Sequence, residues 1–278
     1  MGSFCGGLLL PHPPVLLPEV GKTDSKRTIA TYEAAKRAAA LLLARSVDTL
    51  LVMTPHAPRF QDAIALFDYP RYAGSLADFR APQIACELPC DRELAAALLQ
   101  AAAPAGFAVE RMTPETAVRF RCQTSLDHGV LVPLSFLLQA GFNGKLLLLS
   151  PADYPCEYFS AFGRLVRSVI EEGNRRVAIL ASGDLSHHVN AESPYGSRTE
   201  GAQFDDAVCK AIAANSFSQL VRDAALIAEP AGECGLRSLC FLFGAARDMK
   251  AELFSYEAPF GIGYAVAAWL PDEEEARQ

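Results

Sequence analysis

Phe4–Leu10, Thr49–Met53, Lys145–Leu149 and Arg176–Ala181 are short, nearly unbroken apolar runs, each bounded by Pro, Gly, Ser or Asp. Runs of that length without polar alternation are how strands covered on both faces of a sheet read. Between them apolar positions recur with the period of a helix, over Lys26–Ser46, Arg92–Ala103, Val130–Ala140 and Cys156–Glu172, and later over Gly201–Asn215 and Cys234–Ala246. In the last of these Leu236, Leu239, Cys240 and Phe243 fall on one helix face. Strands alternating with helices predict an α/β fold, a three-layer α/β/α sandwich with helices on both faces of the sheet. Two further pairs of runs look antiparallel. Ile84–Leu88 and Phe107–Met112 flank the Arg92–Ala103 helix, and Ala251–Tyr256 is joined to Tyr264–Leu270 by a loop holding Pro259, Gly261 and Gly263. The central sheet is therefore expected to be mixed. No repeat or low-complexity linker interrupts the pattern, so residues 1–278 are expected to form a single domain, with the acidic stretch 271–278 a frayed tail.

Composition narrows the function. The chain is 51% hydrophobic and carries a net charge of −7, which removes the electrostatic driving force for nucleic acid. The N-terminus lacks the basic region of a signal peptide, and no apolar stretch is long enough to cross a bilayer. A cytoplasmic protein without a membrane partner is expected. The eight cysteines show no Cys-x-x-Cys pair, so a structural zinc ribbon is not expected and most should be free, packed thiols.

The five histidines all stand at boundaries between elements. His12 follows the first apolar run in Leu10-Pro11-His12-Pro13, His56 the second in Thr54-Pro55-His56, and His187 and His188 the fourth in Ser182-Gly183-Asp184-Leu185-Ser186-His187-His188; His128 opens a helical pattern in Asp127-His128-Gly129. Ligands of open α/β sheets collect on loops beyond the carboxyl ends of strands. Three such loops each bearing a histidine point to one shared site. Two histidines and a distant carboxylate would form a facial triad that leaves positions open on iron(II). Ala231-Gly232-Glu233-Cys234-Gly235, just before a helix, is the best source of the carboxylate.

The ordered set Pro11-His12-Pro13-Pro14, Thr54-Pro55-His56, Asp127-His128-Gly129, Ser182 to His188 and Gly232-Glu233-Cys234-Gly235-Leu236-Arg237 resembles the class III extradiol ring-cleaving dioxygenases, the superfamily of the protocatechuate 4,5-dioxygenase catalytic subunit. The resemblance runs from about residue 8 to residue 268. It implies Fe(2+) held by His12, His56 and Glu233, a small aromatic substrate and O2, and His187 as general base on a catechol. It also implies His128 near substrate and oxygen, with Asp184 and His188 in supporting places. The related Memo family carries Cys where the dioxygenases carry the carboxylate. Glu233 and Cys234 are adjacent, so Cys234 stays open as ligand or pocket wall, with zinc in a purified sample. That branch leaves a metal-binding protein without ring cleavage, redox-active or a partner in a modification pathway, with an AMMECR1-type or radical-SAM protein as the partner. A homo-oligomer also remains open. No cluster of Arg or Lys lies beside the motifs to clamp an aromatic acid, and Arg119, Arg121 and Arg237 are the candidates for that role.

Overall fold

The computed structural model describes residues 2–271, so all but the first residue of the expected acidic tail lies outside the described residues. Its strands are β1 (Ser3–Leu10), β2 (Thr49–Met53), β3 (Ile64–Phe67), β4 (Arg71–Leu76), β5 (Ala81–Pro89), β6 (Val109–Met112), β7 (Lys145–Ser150), β8 (Arg176–Ser182), β9 (Lys250–Glu257) and β10 (Tyr264–Leu270). Eight form one sheet in the order β6-β3-β7-β2-β8-β1-β10-β9. Strands β7, β2, β8 and β1 run parallel. They are the four unbroken apolar runs, and β2 is buried at every position. Antiparallel neighbours flank them, β3 against β7 and β10 against β1, which makes the sheet mixed as expected.

Helices cover both faces. Arg92–Ala102, Cys156–Glu172 and Leu236–Ala245 pack together on one, and Ile29–Leu43 with His128–Gln139 on the other. The contact between Cys156–Glu172 and Leu236–Ala245 is close enough to need glycine: a Cβ on Gly244 would lie 2.0 Å from the Ser160 carbonyl oxygen. One buried apolar cluster runs from Phe4 to Trp269.

Several expectations shift in detail. Ile84–Leu88 lies within β5, which pairs only with β4 in a separate antiparallel ribbon. Phe107–Met112 shortens to β6, which is parallel to β3 rather than antiparallel, and only through β3 opposes the central strands. The helix expected from Lys26 begins at Ile29, after a 3-10 turn over Asp24–Thr28. There the Ser25 and Thr28 hydroxyls donate to backbone carbonyls three residues earlier, which competes with regular helix. The helix expected from Cys234 begins at Leu236 because the Glu233 carboxylate accepts the Leu236 N–H at 2.6 Å.

Candidate metal centre

The parallel strands β1, β2 and β8 end at one edge of the sheet, and the chain turns there into Pro11-His12, Thr54-Pro55-His56 and Gly183-Asp184. His12 does not sit in an exposed loop: it is 2% exposed. Its Nδ1 lies 2.9 Å from the Ser182 hydroxyl, which itself donates to the Gly129 carbonyl. The hydroxyl's one hydrogen is thereby used, so Nδ1 of His12 carries a hydrogen and Nε2 a lone pair. The backbone N–H of His12 donates to Asp184 Oδ1 at 2.9 Å. Its Nε2 looks toward Cys234 Sγ at 3.7 Å and Asp184 Oδ2 at 3.8 Å.

His56 forms the facing wall. Its ring centroid is 4.4 Å from that of His12 and 4.4 Å from that of His128, while His12 and His128 are 6.0 Å apart. Asp127 caps the helix His128–Gln139 by accepting the Gly129 N–H on Oδ1. Its other oxygen lies 3.1 Å from His56 Nδ1 and 3.7 Å from His128 Nδ1. Gly129 joins the two walls. Its carbonyl receives Ser182, and a Cβ there would fall 2.5 Å from the His56 Cβ. Only glycine lets the helix start lie against that imidazole.

The remaining expected residues separate. His187 is half-buried, donates from Nδ1 to the Gly232 carbonyl and meets Tyr195 edge-on, which leaves its Nε2 lone pair free. His188 is held in the same way: its Nδ1 donates to the Gly196 carbonyl at 2.8 Å and its N–H to the Ser186 hydroxyl. Two groups of side chains have ligating atoms within reach of a common ion, His12 with Asp184 and Cys234, and His56 with Asp127 and His128. Glu233 belongs to neither. Its carboxylate caps the helix Leu236–Ala245 and lines a different cleft, of about 600 Å³, together with Tyr154, Cys156 and Arg237. Three residues that sequence reasoning passed over hold the site in shape. Asp127 was visible only as part of Asp-His-Gly, Ser182 as the end of a strand, and Asp205, which accepts the Ser186 N–H at 2.8 Å, carried no signal inside its helical run.

Burial dominates the electrostatics. It holds the His12 imidazole well below its usual range, aided by the nearby His56 and His128 charges. Burial and then His56 lower His128 as well. Asp184 is pushed up to about 6 by burial, against the His12 N–H and the neighbouring imidazoles. The Cys234 thiol is driven up by burial and by the Asp184 and Glu233 charges. Asp127 is also pushed up by burial, but its hydrogen bond and attraction to His56 outweigh this and leave it low. The His12 imidazole, crowded against Asp184 and Cys234, acids that resist ionisation, forms with them a donor set that a divalent cation would relieve. The spacing fits too. Metal–nitrogen and metal–sulfur bonds of ~2.1 and ~2.3 Å at a tetrahedral angle place the two donors ~3.6 Å apart. His12 Nε2 and Cys234 Sγ stand at 3.7 Å.

Fold and site together define an α/β protein with a histidine-rich cluster able to hold a metal ion at the carboxyl edge of its sheet. The family model for the catalytic LigB subunit of aromatic ring-opening dioxygenase matches residues 6–267, and the chain belongs to that family. It is 32% identical over 266 residues to Protein CA_C1420 of Clostridium acetobutylicum, covering 95% of this chain and 57% of that relative. The chain thus spans little more than half the length of that protein. The crystal structure of the uncharacterized protein JW3007 from Escherichia coli K12 has the same fold, with a TM-score of 0.62 at 16% identity, covering 95% of this chain and 99% of that one. Among the described residues no helix is long and apolar enough to cross a membrane.

Proposed function

We propose that this protein is an iron(II)-dependent oxidoreductase that acts with dioxygen on a small catecholic compound, its metal held between His12 and His56, with Asp184 and Cys234 beside His12. The observation that carries the reading is the convergence of His12, His56 and His128 at one edge of the sheet, in a family of ring-opening dioxygenases. The iron, when bound, would supply chelation of the two ring oxygens and electrons for oxygen. The chain's own part is proton handling and orientation. His187, with Nδ1 committed to the Gly232 carbonyl, presents Nε2 as the acceptor for a catechol proton. Asp127 fixes the His56 ring so that its Nε2 can ligate. Eight free cysteines accord with a reducing, cytoplasmic setting. The test is metal content after anaerobic purification, followed by oxygen uptake with a panel of catechols. Stoichiometric iron and catechol-dependent uptake are expected; tightly held zinc with no uptake after iron is restored would end the reading.

A second reading rests on Cys234. A thiolate is softer than a carboxylate and suits zinc or copper(I), so the centre would serve a metal-binding, redox-active protein paired with an AMMECR1-type or radical-SAM partner instead of ring cleavage. Cys234→Ser is expected to strip the metal, whereas Glu233→Gln should retain it, because the Glu233 carboxylate is spent on the Leu236 N–H. The opposite result would restore Glu233 as the third ligand.

A further inference from the structure

Two openings reach the histidines. One is a small cavity of about 70 Å³ lined by His56, Phe67, Tyr69, Gln123 and Asp127 among others. The second is a cleft of about 540 Å³ between the β4–β5 ribbon and the approach to the helix His128–Gln139, with Ser75, Asp78, Phe79 and His128 on its walls. They adjoin, since Gln123, Ser125, Leu126 and Asp127 line both. Neither wall contains a lysine or an arginine. Arg80, next to Phe79 in the chain, and Arg121 line neither opening, and the other cations near the motifs are occupied. Arg237 and Arg59 both bind Asp153, Arg237 lines the other cleft, and Arg119 lies over Phe120.

What the walls do offer is negative or neutral. Asp127 is engaged by Gly129 and His56. Asp78 is exposed at the ribbon's turn, and no hydrogen bond or ion pair among the described residues engages its carboxylate. Phe79 beside it stands edge-on to His128 at 5.3 Å and leaves a partly exposed ring, a surface that attracts an ammonium group. In the small cavity the Tyr69 hydroxyl is buried without a partner, a neutral group available to a polar, uncharged end of a ligand. A carboxylated ring entering by this route would meet like charge and no cation on the lining walls.

We infer that the substrate of this centre is an uncharged or ammonium-bearing catechol and not an aromatic acid, and that Asp78 sets the preference. The inference rests on the catechol reading above. It is tested by binding rather than turnover, with the full chain loaded with redox-inert zinc and titrated at low salt with catechol, dopamine and 3,4-dihydroxybenzoate. Dopamine should bind at least as tightly as catechol, and 3,4-dihydroxybenzoate on the order of tenfold more weakly, the scale of one like-charge contact in a half-solvated cleft. Asp78→Lys, a change at an exposed turn, should invert the order of dopamine and 3,4-dihydroxybenzoate. Equal or tighter binding of 3,4-dihydroxybenzoate by the unaltered protein, or an Asp78→Lys variant with an unchanged order, would overturn the assignment and leave the catechol reading standing. If none of the three binds, the catechol reading falls and this inference falls with it.

Discussion

His12 and His56 have ring centroids 4.4 Å apart, yet they are built in opposite ways. His12 belongs to the sheet. It is almost fully buried, its ring is held by Ser182 at the end of β8, and its backbone is held by Asp184 two residues further on. His56 belongs to a helix start: it is exposed, and its ring is held by Asp127, the residue that caps His128–Gln139. One wall is therefore a part of the core that carries an imidazole, while the other is a surface arm that a single carboxylate aims. A site of this kind can keep a fixed donor and still admit a ligand from the open side.

The comparison is broken or kept by removing each histidine. His12→Ala and His56→Ala should each lower metal affinity more than 100-fold, since losing a ligand costs more than losing its supporting hydrogen bond. Their effects on folding should differ. His12→Ala leaves space and an unmatched polar group in the core, a cost of about 1–3 kcal/mol, whereas His56→Ala should stay within about 0.5 kcal/mol. Metal analysis and denaturant unfolding of the metal-free proteins measure both, and equal destabilisation would erase the distinction between the walls.

The buried wall also carries a pH signature through Asp205, whose carboxylate holds the Ser186 N–H and the Tyr256 hydroxyl. Burial pushes it up to about 7, against the pull of those two donors. A carboxyl raised from ~3.9 when unfolded to this value favours the folded state fully below pH ~4, and that contribution is lost as pH rises through 7, by at most roughly 4 kcal/mol. Asp205→Asn should remove this dependence, so the variant should gain stability relative to the parent between pH 5 and 8. Parallel stability curves for the two proteins would show that Asp205 does not titrate in this way.

A finer distinction comes from the two supporting groups. Asp127→Asn and Ser182→Ala should each lower metal affinity ~10–100-fold. Ser182→Ala should additionally cost about 1–3 kcal/mol of folding, because it strands the buried Gly129 carbonyl and the His12 Nδ1–H. Asp127→Asn keeps an oxygen for the Gly129 N–H and should cost less. Reversal of that order in unfolding experiments would mean that the helix start, not the sheet, anchors the centre.

Periodicity alone made the four central strands legible, because residues buried on both faces of a sheet leave no polar position to interrupt the run. Strands β3 and β4 were not legible: β3 is four residues long, and β4 alternates exposed and buried positions on a ribbon outside the main sheet. The histidines were legible for a similar reason. Each stands at a boundary of an apolar pattern, and the parallel order of β1, β2 and β8 carries three of those boundaries to one edge. The choice between Glu233 and Cys234 was not. Neighbours in sequence point in different directions: the Glu233 carboxylate takes the Leu236 N–H while Cys234 Sγ lies 3.7 Å from His12 Nε2, in a segment where a Cβ on Gly183 would fall 2.2 Å from the Gly235 Cα. Asp205 and Ser182 were hidden likewise, since a buried polar residue is defined by the partner it finds across the fold. Sequence by itself determined the layers, the edge and the kinds of side chain gathered there, all consequences of local pattern; burial, tautomer and which of Glu233 and Cys234 lies beside His12 were decided by long-range packing.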